Sequence, residues 1–110
     1  MNSKWAHVTY TGNGTGNNAL VLVPKQGADT KIAINDLIVS VDAATITRLF
    51  FVNDAGTRRR VLGLRFIANG NLFAHIPLAG SIISNVGERL EAEVEPEEAY
   101  DFTVVYETTN

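Results

Sequence analysis

Apolar and polar residues alternate most regularly toward the C-terminal end of the chain. Leu90, Ala92 and Val94 interleave with Glu91, Glu93 and Glu95, and Tyr100, Phe102, Val104 and Tyr106 interleave with Asp101, Thr103, Val105 and Glu107. A period of two sends successive side chains to opposite faces, so both segments are predicted to be strands with one face in a core. Residues 46–67 follow another pattern. Residues 47–52 are β-branched and aromatic, Asn53-Asp54-Ala55-Gly56 tolerates left-handed backbone angles, and 61–67 returns as a second apolar run, which predicts a β-hairpin. Leu49, Phe50, Phe51 and Val52 leave no polar face, so both hairpin strands are expected to be central, with one face meeting something other than water.

Further strands are predicted at 19–23, at 31–41 with a bulge or break at Asn35-Asp36, and at 72–76, where Pro77 cannot donate to a ladder and marks a strand end or an edge. Residues 78–84 read as a short irregular apolar piece, and Pro96-Glu97-Glu98 as a turn. Trp5, Val8 and Tyr10 form an opening cluster that is either a first strand or an arm lying on a partner. The Gly/Asn-rich stretch 11–18 can bury almost nothing and reads as a flexible connector, which leaves 1–18 as an arm with its tether and 19–110 as the domain. A strand rather than a helix follows that stretch, which separates it from a phosphate-binding loop. The strand count with no segment of helical period makes the fold all-β, closed either as a barrel or as a two-sheet jelly roll.

A chain of 110 residues fits one domain that buries about two-thirds of its unfolded surface without a metal or disulfide staple. The absence of Cys excludes a disulfide scaffold and a thiolate zinc site. No apolar run reaches the roughly 18 residues that cross a bilayer, and residues 1–10 have no apolar signal core, so a soluble chain is expected. Charge is unevenly distributed. Residues 88–110 carry eight acids against Arg89 alone and residues 1–87 eight bases against four acids, dividing the net −3 into −7 and +4. Oppositely charged patches that meet between copies fit this better than a nucleic-acid binder, which is more often basic overall.

Candidate chemistry is sparse. His7 and His75 lie in separate segments without ligand spacing, so no metal site is expected. Ser3, Ser40, Ser81 and Ser84 have no nucleophile elbow around them. Glu91, Glu93 and Glu95 share one strand face and read as a solvated acidic face that discourages edge pairing, not as a glycosidase pair. Arg58, Arg59 and Arg60 open a strand with guanidinium forks suited to carboxylate or phosphate. An acidic protein surface is the favoured partner, since no aromatic interleaving accompanies them as it does in single-strand nucleic-acid binders. No catalytic residue, cofactor or metal is assigned.

Several short motifs from residue 31 to 106, about two-thirds of the chain, carry a resemblance. They are the lysine-led strand TKIAINDLIVS, the turn IANGNL leading to a Pro-terminated strand, VGERLEA leading into the penultimate strand, and the closing DFTVVY. In this order they resemble small jelly-roll virion proteins of tailed phages, of head decoration (cement) or head-fibre type. The arginine triplet and an acidic closing strand, in place of a glycine-rich, near-neutral one, depart from that pattern. The resemblance implies a single antiparallel jelly-roll sandwich of about eight strands with a short N-terminal arm. It also implies a non-enzymatic capsid decoration subunit that forms a homotrimer, binds the major capsid protein, and sits on the virion surface after assembly in the host cytoplasm. The subunit or shell interface is then expected at Trp5, Tyr10, Phe50, Phe51, Arg58, Arg59, Arg60, Glu91, Glu93 and Glu95, with Phe66 also covered. A carbohydrate-binding jelly roll or receptor-binding fibre domain is the alternative, with Trp5, Tyr10, Tyr100 and Tyr106 as its aromatics. Neither membrane nor nucleic acid is an expected partner.

Overall fold

The computed structural model describes residues 4–10, 18–75, 82–95 and 99–109. The connector at 11–17, Pro77, the irregular piece at 78–81 with Ser81, the turn at 96–98 and the side chains of Tyr10 and His75 lie outside the described residues. The described strands are β1 (Lys4–Tyr10), β2 (Asn18–Val23), β3 (Lys31–Val41), β4 (Thr45–Val52), β5 (Arg58–Phe66), β6 (Asn71–His75), β7 (Arg89–Glu95) and β8 (Tyr100–Thr109). They form two antiparallel four-stranded sheets, A in the order β1-β8-β3-β6 and B in the order β2-β7-β4-β5. Only β4 and β5 are sequence neighbours within a sheet; every other connection between described strands crosses from one sheet to the other. This is a jelly-roll sandwich, the two-sheet closure rather than the single barrel.

The core is the set of inward positions that the alternation marks. Leu90, Ala92 and Val94 of β7 and Leu49 and Phe51 of β4, in sheet B, face Tyr100, Phe102, Val104 and Tyr106 of β8 and Ile32, Ile34, Leu37 and Val39 of β3, in sheet A. Phe51 and Phe102 are among the largest side chains fully withdrawn from water, each contributing about 1.5–3 kcal/mol of transfer free energy. β3 is one long strand whose register against β8 slips between Ile34 and Asp36, at the Asn35-Asp36 break that the sequence indicates. Residues 82–84 run beside its first half. Ile34 N–H donates to Ile82 O, Ser84 N–H to Ile32 O, and Ile32 N–H to the Ser84 hydroxyl at 2.7 Å.

Two expectations are revised. Residues 4–10, left open between strand and arm, form β1, which pairs with β8 along its whole length from Lys4↔Tyr106 to Tyr10↔Tyr100. β1 therefore lies on the sandwich side of the boundary drawn at residue 18. The hairpin strands also differ from each other. β4 is central between β7 and β5, but β5 is the edge of sheet B, and Arg58–Arg60 at its start are exposed. The apolar residues Val61, Leu62, Leu64 and Phe66 gave β5 the look of a central strand, yet sheet position depends on which strands pair, not on the run itself.

Candidate functional site

The outer face of sheet B collects six of the ten candidate residues, Phe50, Arg58, Arg60, Glu91, Glu93 and Glu95. Its position is set by register: Val52, Phe50, Arg48 and Ile46 of β4 lie opposite Arg58, Arg60, Gly63 and Arg65 of β5 on one side. On the other side the same residues face Arg89, Glu91, Glu93 and Glu95 of β7. A register shift between Leu49 and Phe50 lets Val61 slip past the ladder, so that Arg60 and Arg58 share the outer face with Phe50 and Val52. The acidic strand and the arginine triplet, expected to meet between copies, are thereby brought together within one chain.

Each arginine is held differently. Arg58 lays its guanidinium 3.7 Å above the Phe50 ring and donates to Glu93 at 3.2 Å, stacking and ion pairing at once. Arg59, paired with Phe51 and so on the inward side of β5, crosses 5.2 Å from that ring and donates to Glu88 at 2.7 Å. Glu88 is buried and also accepts from Asn85 N–H at 2.7 Å. Arg60 has neither ion pair nor hydrogen bond among the described residues. Arg48 lies between Glu93 at 3.4 Å and Glu95 at 3.6 Å, while Arg89 pairs with Glu91 and reaches Asn53 O. Sequence reasoning missed Arg48, Glu88 and Arg89; register supplies a signal for Arg48 alone, which lies opposite Glu93, whereas Glu88 precedes β7 and Arg89 pairs with Glu91 along its own strand.

The aromatic part of the expected interface is not displayed. Phe51 is a core residue, and Phe50 is closed over by Arg58, so neither ring is free for a second copy. Phe66 is half-buried against the core. Trp5 is 68% exposed on the outer face of sheet A, opposite Val105. Beside it His7 bonds Thr103 at 2.7 Å and Thr9 at 3.1 Å through its two ring nitrogens and lies 3.4 Å from Asp101, and Thr9 donates to Asp101. Among the described residues no three of His, Asp or Glu converge as a metal site. No described helix is long and apolar enough to cross a membrane.

No family model and no curated protein sequence matches the chain. Among solved structures it is similar to a chain of infectious bursal disease virus, Gx strain, at 11% identity over 99% of this chain and 32% of that one, with a TM-score of 0.47. It is also similar to a chain of the virus-like particle of the extra small virus of the giant freshwater prawn Macrobrachium rosenbergii, at 12% identity over 97% and 76% with a TM-score of 0.39. A third is a subviral particle of infectious bursal disease virus, at 11% identity over 94% and 32% with a TM-score of 0.38. The chain spans about a third of the length of the infectious bursal disease virus chains it matches.

Proposed function

We propose that this chain is a viral structural subunit, a jelly-roll domain that associates with copies of itself as a trimer and decorates a shell of major capsid protein on the virion surface, in the manner of a tailed-phage cement protein. The observation that carries the reading is the strand order, β1-β8-β3-β6 over β2-β7-β4-β5, an architecture that capsid and lectin domains use. The motif resemblance between residues 31 and 106 gives it the virion context. Its mechanism is burial repeated by symmetry, with no catalytic step, so that weak contacts add to a large avidity. Quantitative mass spectrometry of gradient-purified particles of the parent virus tests it. The chain is expected in fixed stoichiometry with the coat protein, and its absence from intact particles sinks the reading.

One observation favours a second reading, a carbohydrate-binding or receptor-binding module. Trp5 presents an exposed aromatic face next to the hydrogen-bonding groups of His7, Thr9 and Asp101, the pairing of apolar plate and polar fork that a sugar ring requires. Glycan-array binding that is lost in Trp5→Ala selects this reading; a protein silent on glycans but present in particles selects the first.

A further inference from the structure

Two guanidinium groups on the outer face of sheet B are without a counter-charge among the described residues. Arg60 and Arg65 stand on either side of Gly63 along β5, and Arg48 lies opposite Gly63 on β4. With no side chain at Gly63, the face sinks into an open depression of about 400 Å³ lined by Ile46, Arg48, Arg60, Gly63, Leu64 and Arg65. The Arg60 guanidinium lies over the glycine, its Cζ 3.7 Å from where a Cβ would sit. The neighbouring acids are engaged elsewhere. Glu93 holds Arg48 and Arg58, and Glu95 holds Arg48, while Arg60 and Arg65 meet no carboxylate among the described residues.

We propose that this depression is an oxyanion site that takes a phosphate or sulfate ester, for which a sulfated saccharide serves as the probe carrier. Two guanidinium groups that line one depression and meet no carboxylate among the described residues suit a tetrahedral group that offers three acceptor oxygens, whereas one carboxylate fills a single fork. The charge of Arg48 at the wall is already met by Glu93 and Glu95, so the attraction for an anion rests on Arg60 and Arg65. Single-stranded nucleic acid would bring the same phosphate chemistry but needs aromatic plates for its bases. The nearest aromatic on this face, Phe50, is covered by Arg58, which leaves no plate to stack on. The site stands whether or not the chain belongs to a virion.

The test is titration of the full chain, followed by the Nε–H signals of the arginines in NMR and by calorimetry. The probes are sodium sulfate, sodium phosphate, a sulfated heparin hexasaccharide, its desulfated form and a single-stranded oligothymidylate, against sodium chloride at matched ionic strength. Saturable shifts at Arg60 and Arg65 with sulfate and phosphate but not chloride are expected, with the sulfated hexasaccharide binding tightest. Affinity for it should fall at least about tenfold in the double variant Arg60→Ala, Arg65→Ala, as loss of charge-assisted hydrogen bonds predicts. Gly63→Leu, which keeps every charge and fills the depression, should weaken binding as well. The equally discharged control Lys25→Ala, Lys31→Ala should bind as the parent does, with circular dichroism confirming that all variants fold. An equal response to chloride, undiminished binding in the double variant, or tighter binding of the oligothymidylate than of the sulfated saccharide overturns the proposal. So does self-association of the protein that occupies the arginines and disappears in the double variant, because the occupant would then be a second copy.

Discussion

Arg58, Arg59 and Arg60 are identical in chemistry and consecutive in sequence, yet they meet a stacked ring with a glutamate, a buried glutamate, and an open depression respectively. Nothing local distinguishes them. Their partners Glu93 and Glu88 lie 35 and 29 residues away, so the triplet was legible as a charged cluster and its three roles were not. The Arg59–Glu88 pair is lopsided, with side-chain exposures of 47% and 7%. Removing the arginine leaves a carboxylate in a dry site, whereas Glu88→Gln leaves Arg59 free to turn to water and keeps an acceptor for Asn85 N–H. Arg59→Ala is therefore expected to cost about 2–3 kcal/mol in urea unfolding and Glu88→Gln about 1 kcal/mol, the half-exposed arginine reducing the full penalty of a broken buried pair. Equal costs would place the pair in effective contact with solvent. A different residue goes the other way. The Thr45 and Thr47 hydroxyls are buried and without a hydrogen-bond partner among the described residues, and Thr47 is fully withdrawn from water on the inward side of β4. Thr47→Val should raise stability by about 1 kcal/mol, the desolvation cost of an unmet hydroxyl, seen as a higher melting temperature. A fall in melting temperature would show that the hydroxyl has a partner in solution.

At the scale of elements, legibility follows how local the determinant is. The alternation in β7 and β8 and the turn chemistry at Asn53–Gly56 are contained in a few residues, and the strands lie where those patterns place them. The identity of residues 4–10 as a strand depends on a partner far along the chain, Lys4↔Tyr106, and that of β5 as an edge on β6 pairing with β3 in the other sheet, Val39↔Leu72, instead of with β5. β1 contributes modestly to the core through Ala6 and Val8, but it closes the edge of β8. Deleting residues 1–10 should lower stability by about 2–4 kcal/mol from lost apolar burial, and should raise concentration-dependent aggregation because the β8 edge is uncovered. Urea midpoints and light scattering check the two effects separately; an unchanged midpoint would mean that β1 is not docked in solution. The β5–β6 turn is a second local determinant. Asn69 adopts φ 60° there, and a Cβ at Gly70 would come within 2.9 Å of Ile67 O, while Gly70 O receives Val41 N–H. Gly70→Ala must move backbone that is tied to β3, and a loss of about 1–3 kcal/mol is expected by thermal unfolding.

For the whole molecule, the division of charge along the sequence does not become two separated patches. The glutamates of β7 come from the −7 segment and Arg48, Arg58 and Arg60 from the +4 segment, but β7 and β5 flank β4 in one sheet, so opposite charges share a face. Apolar surface is equally dispersed. Among the described residues the large exposed apolar side chains, Trp5, Val21, Ile67 and Val86, lie on β1, on β2, after β5 and before β7, and the rings of Phe50 and Phe51 are covered. A trimer built from such a surface would rest more on charged and polar contacts than on an apolar seam. Light scattering at micromolar concentration is accordingly expected to give three times the 11.9 kDa monomer mass at low salt. The mass should decline toward the monomer as sodium chloride is raised to 1 M, where the Debye length has shrunk to about 3 Å. Circular dichroism should stay constant throughout, because the pairs that tie β5 to β7 lie beside a core of apolar contacts that salt does not weaken. A trimer that survives 1 M salt would place its contact on apolar surface such as Trp5 or Ile67, and a monomer at every ionic strength would remove self-association from the proposed function and leave the shell as the sole partner.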